Sequence, residues 1–385
     1  MIRLSCLASR SVLLTLCLSA TGALAAGHER SPAATETTPT PSASAFDDGP
    51  YLRYTSDRIE ARWVCDGKPV ERSFPALRWP VVVPAQCGHA EPISVRAPAE
   101  AETEVSPQGV ERIAALSDVH GQYELMVQLL QSNGIVDRKL RWRYGRGHLV
   151  IAGDVFDRGP KVNQALWLLY GLEQQARAAG GAVHLLLGNH EVMVLANDLR
   201  YVNEGYQRNA GLLGRSYVEL YGPDTVLGRW LRSKSVIGQV NDLLFVHGGI
   251  AASYFESGLS RAQINQRYRD SLGTPKAVWQ HDPALLPLYN GKTSPIWYRG
   301  YFIDPALTQD QVDAIAARLG VGRIVVGHTS HKRIGSYFDG RVIAIDSSIK
   351  NGQYGELLLI ERGKFSRGTP EGKRLPLTAG EPLSD

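Results

Sequence analysis

The sequence predicts an α/β fold whose strands end in a ladder of polar motifs. Two observations predict it. Short apolar runs rich in Val, Ile, Leu and Ala recur at residues 111–116, 148–152, 182–187, 243–246 and 323–326. Each run stops at a motif framed by glycine: Ser117-Asp118-Val119-His120-Gly121, Gly153-Asp154-Val155-Phe156-Asp157-Arg158-Gly159, Gly188-Asn189-His190-Glu191, His247-Gly248-Gly249 and Gly327-His328-Thr329. The first three motifs are spaced about 35 residues apart, and a strand, a crossover helix and the next strand need about 30 or more. They therefore sit at equivalent ends of neighbouring parallel strands.

The chain opens on a different kind of segment. Arg3 and Arg10 precede an apolar stretch that carries Val12, Leu13, Leu14, Leu16, Leu18 and Leu24, and Ala23-Leu24-Ala25 offers a small-x-small cleavage site. This is the anatomy of a secretory signal peptide over residues 1–25. The stretch is too short and too rich in small residues for a membrane span. The mature protein is expected in the periplasm or secreted, with no stable membrane association after cleavage. Cys6 and Cys17 would leave with the signal. Cys65 and Cys87 remain, and an even count in an exported chain predicts one disulfide between them. Two free thiols are the alternative, which export disfavours.

Residues 26–50 are rich in Ser, Thr, Pro and Ala without an apolar period and read as a disordered linker. Residues 51–109 hold strand-like runs such as Arg62-Trp63-Val64 and Val81-Val82-Val83, broken by Pro and Gly. They predict a small β-rich region with no pattern of its own that carries chemistry. The catalytic domain spans 110–365. Within it, 123–130 and 161–179 read as helices, 191–236 as irregular and helical, and 261–278 as largely helical. Asp339-Gly340 marks a hairpin turn between apolar residues, and 355–360 gives a last strand. The Gly- and Pro-rich residues 366–385 read as a loose tail. With 42 basic and 38 acidic side chains the charge is near balance, which argues against a nucleic-acid partner.

In open α/β sheets, ligands bind beyond the carboxyl ends of strands. The side chains delivered there are Asp118, His120, Asp154, Asn189, His247 and His328. Mixed carboxylate, amide and imidazole donors suit a pair of divalent transition metals, and the lack of Cys argues against a structural zinc site. Two metals about 3.5–4 Å apart can activate a water and stabilise both attacking and leaving oxygens. Arg158 and Arg299 offer planar forks for phosphate oxygens. His190 would face the leaving oxygen as an acid, held protonated by Asp157. Any one of these residues alone would be an ordinary strand-end turn residue. Together, at crossover spacing, they are not. His184, His281 and His331 read as surface or packing histidines, and the basic run from Arg138 to Arg143 as a solvated face.

The set Asp-x-His-Gly, Gly-Asp-x-x-Asp-Arg-Gly, Gly-Asn-His-Glu, His-Gly-Gly and Gly-His resembles the calcineurin-like metallophosphoesterases. The full Gly-Asp-Val-Phe-Asp-Arg-Gly and Gly-Asn-His-Glu strings resemble the phosphoprotein phosphatase branch. Ser-Pro-Ile-Trp-Tyr-Arg-Gly, at 294–300, is most similar to the Shewanella-like phosphatases. The resemblance implies a two-sheet sandwich flanked by helices. It implies Asp118 and His120 on one metal, Asn189, His247 and His328 on the other, and Asp154 bridging. It further implies Arg158 and Arg299 on phosphate, and His190 with Asp157 as the acid. Mn²⁺ is the expected metal, with Fe or Zn as alternatives. His331 lies one residue too far from His328 to match the family's Gly-His-x-His pattern.

The function expected is an exported two-metal phosphomonoesterase acting on phosphorylated proteins or peptides. Hydrolysis of dinucleoside polyphosphates or other small phosphoesters is the alternative. A non-catalytic metal-dependent binding module is a third reading, against which the intact His190 and Asp157 speak. The segments 200–230 and 253–297 should flank the metals and decide what enters.

Overall fold

The computed structural model describes residues 46–98 and 106–381. The expected signal peptide and most of the expected linker lie outside them. The linker's predicted end at residue 50 does not hold. Strand β1 (Asp48–Tyr54) already begins there, and Asp48 is fully buried. It accepts hydrogen bonds from the Gly49 N–H at 2.8 Å, from Asn163 Nδ2 at 3.3 Å and from the Tyr51 hydroxyl. Asp48 can be buried here because its carboxylate finds donors inside the fold.

β1, β2 (Arg58–Cys65) and β3 (Lys68–Pro75) form an antiparallel meander. Alternate residues Ile59, Ala61 and Trp63 of β2 are fully buried, as the period of a one-sided sheet requires. β4 (Val81–Val83) and β5 (Ile93–Val95) pair beside it. A disulfide joins Cys65 to Cys87 across a Cα–Cα distance of 5.2 Å.

Two larger sheets follow. The first contains β6 (Arg112–Leu116), β7 (His148–Ala152) and β8 (Ala182–Leu186), which run parallel. The crossovers are helices α1 (Tyr123–Ser132) and α2 (Val162–Ala178). α1 buries Leu125, Met126, Leu129 and Leu130, one face at helical spacing. Fully burying such a side chain contributes about 1.5–3 kcal/mol. The second sheet contains β9 (Ile237–Val240), β10 (Leu243–Val246), β11 (Arg323–Val326), β12 (Gly335–Tyr337) and β13 (Val342–Ala344), in the order β12-β13-β11-β10-β9.

The predicted loose tail is a correction. After β14 (Leu357–Glu361) the chain makes β15 (Lys364–Gly368) and β16 (Arg374–Pro376). The first sheet thus has the order β16-β15-β14-β6-β7-β8. Gly363, at φ 79°, sits in the tight turn between β14 and β15. β16 falls within residues 366–385, which read as loose from their glycines and prolines.

The two sheets face each other. Ile113, Ala115, Val150, Ala152, Leu358 and Ile360 of one meet Leu243, Phe245, Val325 and Ile343 of the other in an apolar layer. The alternating residues Ala114, Leu116, Leu149, Ile151, Leu244 and Val246 point outward to the helices. A buried charge cluster ties the outer layers together. Glu173 of α2 accepts from Lys234 Nζ at 2.8 Å, Trp230 Nε1 at 2.7 Å and Arg96 Nη1 at 3.2 Å. Arg96 follows β5, so this carboxylate anchors the N-terminal region to the sandwich.

Candidate metal and phosphate site

The five motifs leave the sheets at one end. Asp118 follows β6, Asp154 follows β7, and Asn189 opens the helix α3 (Asn189–Leu195) after β8. His247 directly follows β10, and His328 follows β11. The site therefore draws side chains from both sheets. The turns that deliver them are tight. Asp118, His120, Asp154, Asp157, Arg158 and His328 all have φ between 46° and 74°. Non-glycine residues at such angles are uncommon and cost free energy that the surrounding structure must supply. Six of the ten predicted residues share this feature, which marks a site built under constraint. Two glycines make room for it. A Cβ on Gly188 would lie 2.2 Å from Asp154 Oδ1, and one on Gly327 would lie 2.6 Å from Asp118 Oδ2.

All six expected ligands are buried and converge. His247 Nε2 lies 3.1 Å from Asp154 Oδ2 and 2.9 Å from Asn189 Oδ1. His120 Nε2 lies 3.6 Å from Asp154 Oδ2 and 3.8 Å from Asp118 Oδ1. Asp154, His247 and His328 form one group able to hold an ion, and His120, Asp154 and His190 a second. Asp154 belongs to both. Backbone carbonyls orient the imidazoles: His120 Nδ1 meets the Phe156 carbonyl at 2.7 Å and His247 Nδ1 meets the Ala152 carbonyl at 2.8 Å. A carbonyl requires N–H at Nδ1, which leaves each Nε2 facing the carboxylates.

The donors fit cations. Among the described residues the buried His328 Nε2 has no hydrogen-bond partner. Burial and His247 push its basicity well down, so its lone pair is open. Burial, with Asp346 and Asp154 nearby, pushes the Asp118 carboxyl up to about 8. Burial disfavours a charged His247, yet Asp154 and Asp118 raise it to about 10. A cluster of buried carboxylates thus recruits positive charge from wherever it can, which is the condition a divalent ion meets.

His190 stands at the edge of this cluster. Its Nδ1 is hydrogen-bonded to Asp157 Oδ2, and its Nε2 lies 3.8 Å from Asp154 Oδ2. Burial works against its charge, but Asp154 and Asp157 outweigh this and raise its pKa. Arg158 is exposed beside it. Among the described residues no carboxylate pairs with Arg158. Arg299 is half-buried on the other side, with Nη1 3.4 Å from Thr329 Oγ1, next to His328. The two arginines therefore approach from different flanks. His331 instead meets the Tyr337 hydroxyl through Nδ1 at 2.9 Å.

Two further residues belong to the site. Glu191 is fully buried and accepts four backbone N–H groups: Asp154 at 2.8 Å, Val155 at 2.7 Å, Phe156 at 3.1 Å and Gly188 at 2.7 Å. It clamps the loop after β7 to the start of α3. Asp346, just past β13, is fully buried and accepts from Ser330 Oγ at 2.6 Å and the Ser348 N–H at 2.9 Å. Its signal was an apolar run, 342–345, ending in Asp. It lacked the flanking glycine of the other motifs.

The calcineurin-like phosphoesterase family model matches residues 111–332. A solved cold-active protein-tyrosine phosphatase of a psychrophilic Shewanella species is 42% identical, superposes with a TM-score of 0.81, and covers 86% of this chain and 99% of that one. Shewanella-like protein phosphatase 2 of Arabidopsis thaliana is 28% identical over 63% of this chain and 72% of its own length. A symmetrical bis(5'-nucleosyl)-tetraphosphatase of Buchnera aphidicola is 30% identical, but over 36% of this chain and 44% of its own. The ligand-rich strand ends, the two-sheet sandwich and these similarities agree: the chain belongs to the calcineurin-like phosphoesterase family and is a metal-dependent phosphatase.

Proposed function

We propose that the protein is an exported phosphomonoesterase that removes phosphate from proteins, with phosphotyrosine at least as good a substrate as phosphoserine or phosphothreonine. The observation that carries this reading is the His190–Asp157 pair at the edge of the cluster of candidate metal ligands. The similarity to a protein-tyrosine phosphatase supports the substrate class.

Asp118, His120 and Asp154 would hold one divalent ion, and Asp154, Asn189, His247 and His328 the other. When bound, Mn²⁺ (or Fe or Zn) supplies an acidified water and neutralises phosphate charge. The chain's own residues do the rest. Arg158 and Arg299 grip phosphate oxygens from two flanks, and their geometry fixes the ester for attack. His190 donates the Nε2 proton to the leaving oxygen, and Asp157 holds Nδ1–H so that the ring keeps its orientation and charge. Glu191 holds the backbone of Asp154 still throughout.

Hydrolysis of dinucleoside polyphosphates is the second reading, favoured by the similarity to the Buchnera enzyme. One experiment separates the two. Rates are compared on phosphotyrosine, phosphoserine and phosphothreonine peptides and on a dinucleoside tetraphosphate, at one Mn²⁺ concentration and again with a chelator. The phosphopeptides should be the faster substrates, phosphotyrosine among the best, with all activity lost on chelation. A faster tetraphosphate would overturn the substrate class, and full activity in chelator would overturn the metal dependence.

A further inference from the structure

His190 lies between two rings. On one side is His120, a candidate metal ligand, with centroids 4.6 Å apart. On the other is Tyr201, with centroids 5.1 Å apart. Tyr201 is 42% exposed, whereas His190 is 5% exposed. The aromatic ring thus lies at the mouth of the site, on the outer side of the imidazole that faces the leaving oxygen. A single exposed tyrosine is ordinary. This one adjoins both the candidate acid His190 and the candidate phosphate ligand Arg158.

The local structure fixes it there. The Arg158 N–H donates to the Tyr201 carbonyl at 2.9 Å. Asn203 caps the helix Glu204–Leu212 and also donates from Nδ2 to the Arg158 carbonyl at 3.0 Å. The guanidinium carbons of Arg158 and Arg200 stand 5.2 and 5.6 Å from the ring centroid. Asp198 pairs with Arg200 through two contacts of 2.8 Å. Among the described residues no hydrogen bond engages the Tyr201 hydroxyl. What this residue presents is its ring.

We propose that Tyr201 is a specificity-determining residue whose ring receives the aryl leaving group of phosphotyrosine as His190 protonates the departing phenolate. Offset or edge-on contact between two aromatic rings favours an aryl over an alkyl ester. A serine or threonine phosphoester is too short to place any ring there. The inference rests on the protein-phosphatase reading, but its test does not stand or fall with it.

The test is kcat/KM for a phosphotyrosine and a phosphoserine peptide of otherwise identical sequence, for wild type, Tyr201→Phe and Tyr201→Leu. Tyr201→Leu should lose about 5- to 10-fold on phosphotyrosine, the size of an aromatic pair contribution. Its phosphoserine rate should stay within about twofold, and Tyr201→Phe should keep the wild-type ratio. Equal losses on both peptides would mean that Tyr201 only steadies Arg158 or His190, and the proposal fails. No loss on either also overturns it. If wild type cleaves neither peptide, the substrate class fails instead. The same ratio is then read on phenyl phosphate against an alkyl phosphate, where the loss in Tyr201→Leu must still be confined to the aryl ester.

Discussion

Two buried charge clusters in this protein look alike in composition and differ in everything else. Around Glu173, one carboxylate meets Lys234, Arg96 and Trp230 Nε1, each within 3.2 Å. Burial would raise its pKa, but Lys234 and Arg96 hold it down at about 2. Around Asp154, three carboxylates share a pocket with four imidazoles. Among the described residues His328 Nε2 and Asp157 Oδ1 have no hydrogen-bond partner, and the backbone turns through left-handed angles. The first cluster is satisfied and the second is held open. Charge buried for structure finds its partners within the chain; charge buried for chemistry waits for something from outside it.

The sharpest way to break this contrast is to remove one charge from each cluster while keeping its shape. Asp154→Asn retains an acceptor for the His190 N–H, which Asp154 Oδ1 meets at 3.0 Å. It should lower kcat on the order of 10³-fold, while urea unfolding in chelator stays at or above the wild-type midpoint. Activity near wild type would remove Asp154 from the centre of the chemistry. Glu173→Gln should do the reverse. Breaking a buried pair by removing one partner costs about 3–5 kcal/mol, so the unfolding midpoint should fall with kcat retained.

The pH dependence sharpens it. A carboxyl whose folded pKa is depressed contributes stability above its unfolded pKa, and loses it as pH falls through the folded value. Glu173 moves from 4.5 to about 2. Its contribution, roughly 3 kcal/mol, should be complete above about pH 5 and fade between pH 4.5 and 2. In Glu173→Gln that part of the acid sensitivity should disappear. The smallest effect belongs to the Cys65–Cys87 bridge, which closes a 22-residue loop. Replacing both cysteines by serine should cost about 3 kcal/mol or less, read by urea unfolding, with kcat on an aryl phosphate within twofold. A large loss of kcat would tie the N-terminal region to the site.

The site was more legible than the scaffold around it. Asp118, Asp154, Asn189, His247 and His328 each follow an apolar strand, and the strand fixes where the next side chain points. Local pattern was enough. Glu191 stood inside a motif, but its role depends on four amides brought from two loops. Asp346 and Tyr201 carried even less signal, because their meaning lies in which neighbours the fold brings. β15 and β16 were missed for a different reason. Short strands of residues such as Lys364, Ser366 and Arg374 have little apolar alternation, and the pairing of β15 with β14 and of β16 with β15 is a tertiary fact. Asp48 likewise reads as linker until Asn163 is placed beside it.

The order of the first sheet has a consequence for how the chain is made. β14 pairs with β6, with Leu358 opposite Ala115, and the bond between Arg362 and Glu111 at the end of that pair spans 251 residues. One edge of β6 stays unpaired until β14 has emerged. β6 also leads directly into Asp118, whose carboxylate holds the His328 N–H at 3.0 Å across 210 residues. Contacts this distant in sequence close slowly. A nascent chain therefore cannot finish this sheet early, and the turn that carries Asp118 gains its long-range partners only after residues 328 and 358 have arrived.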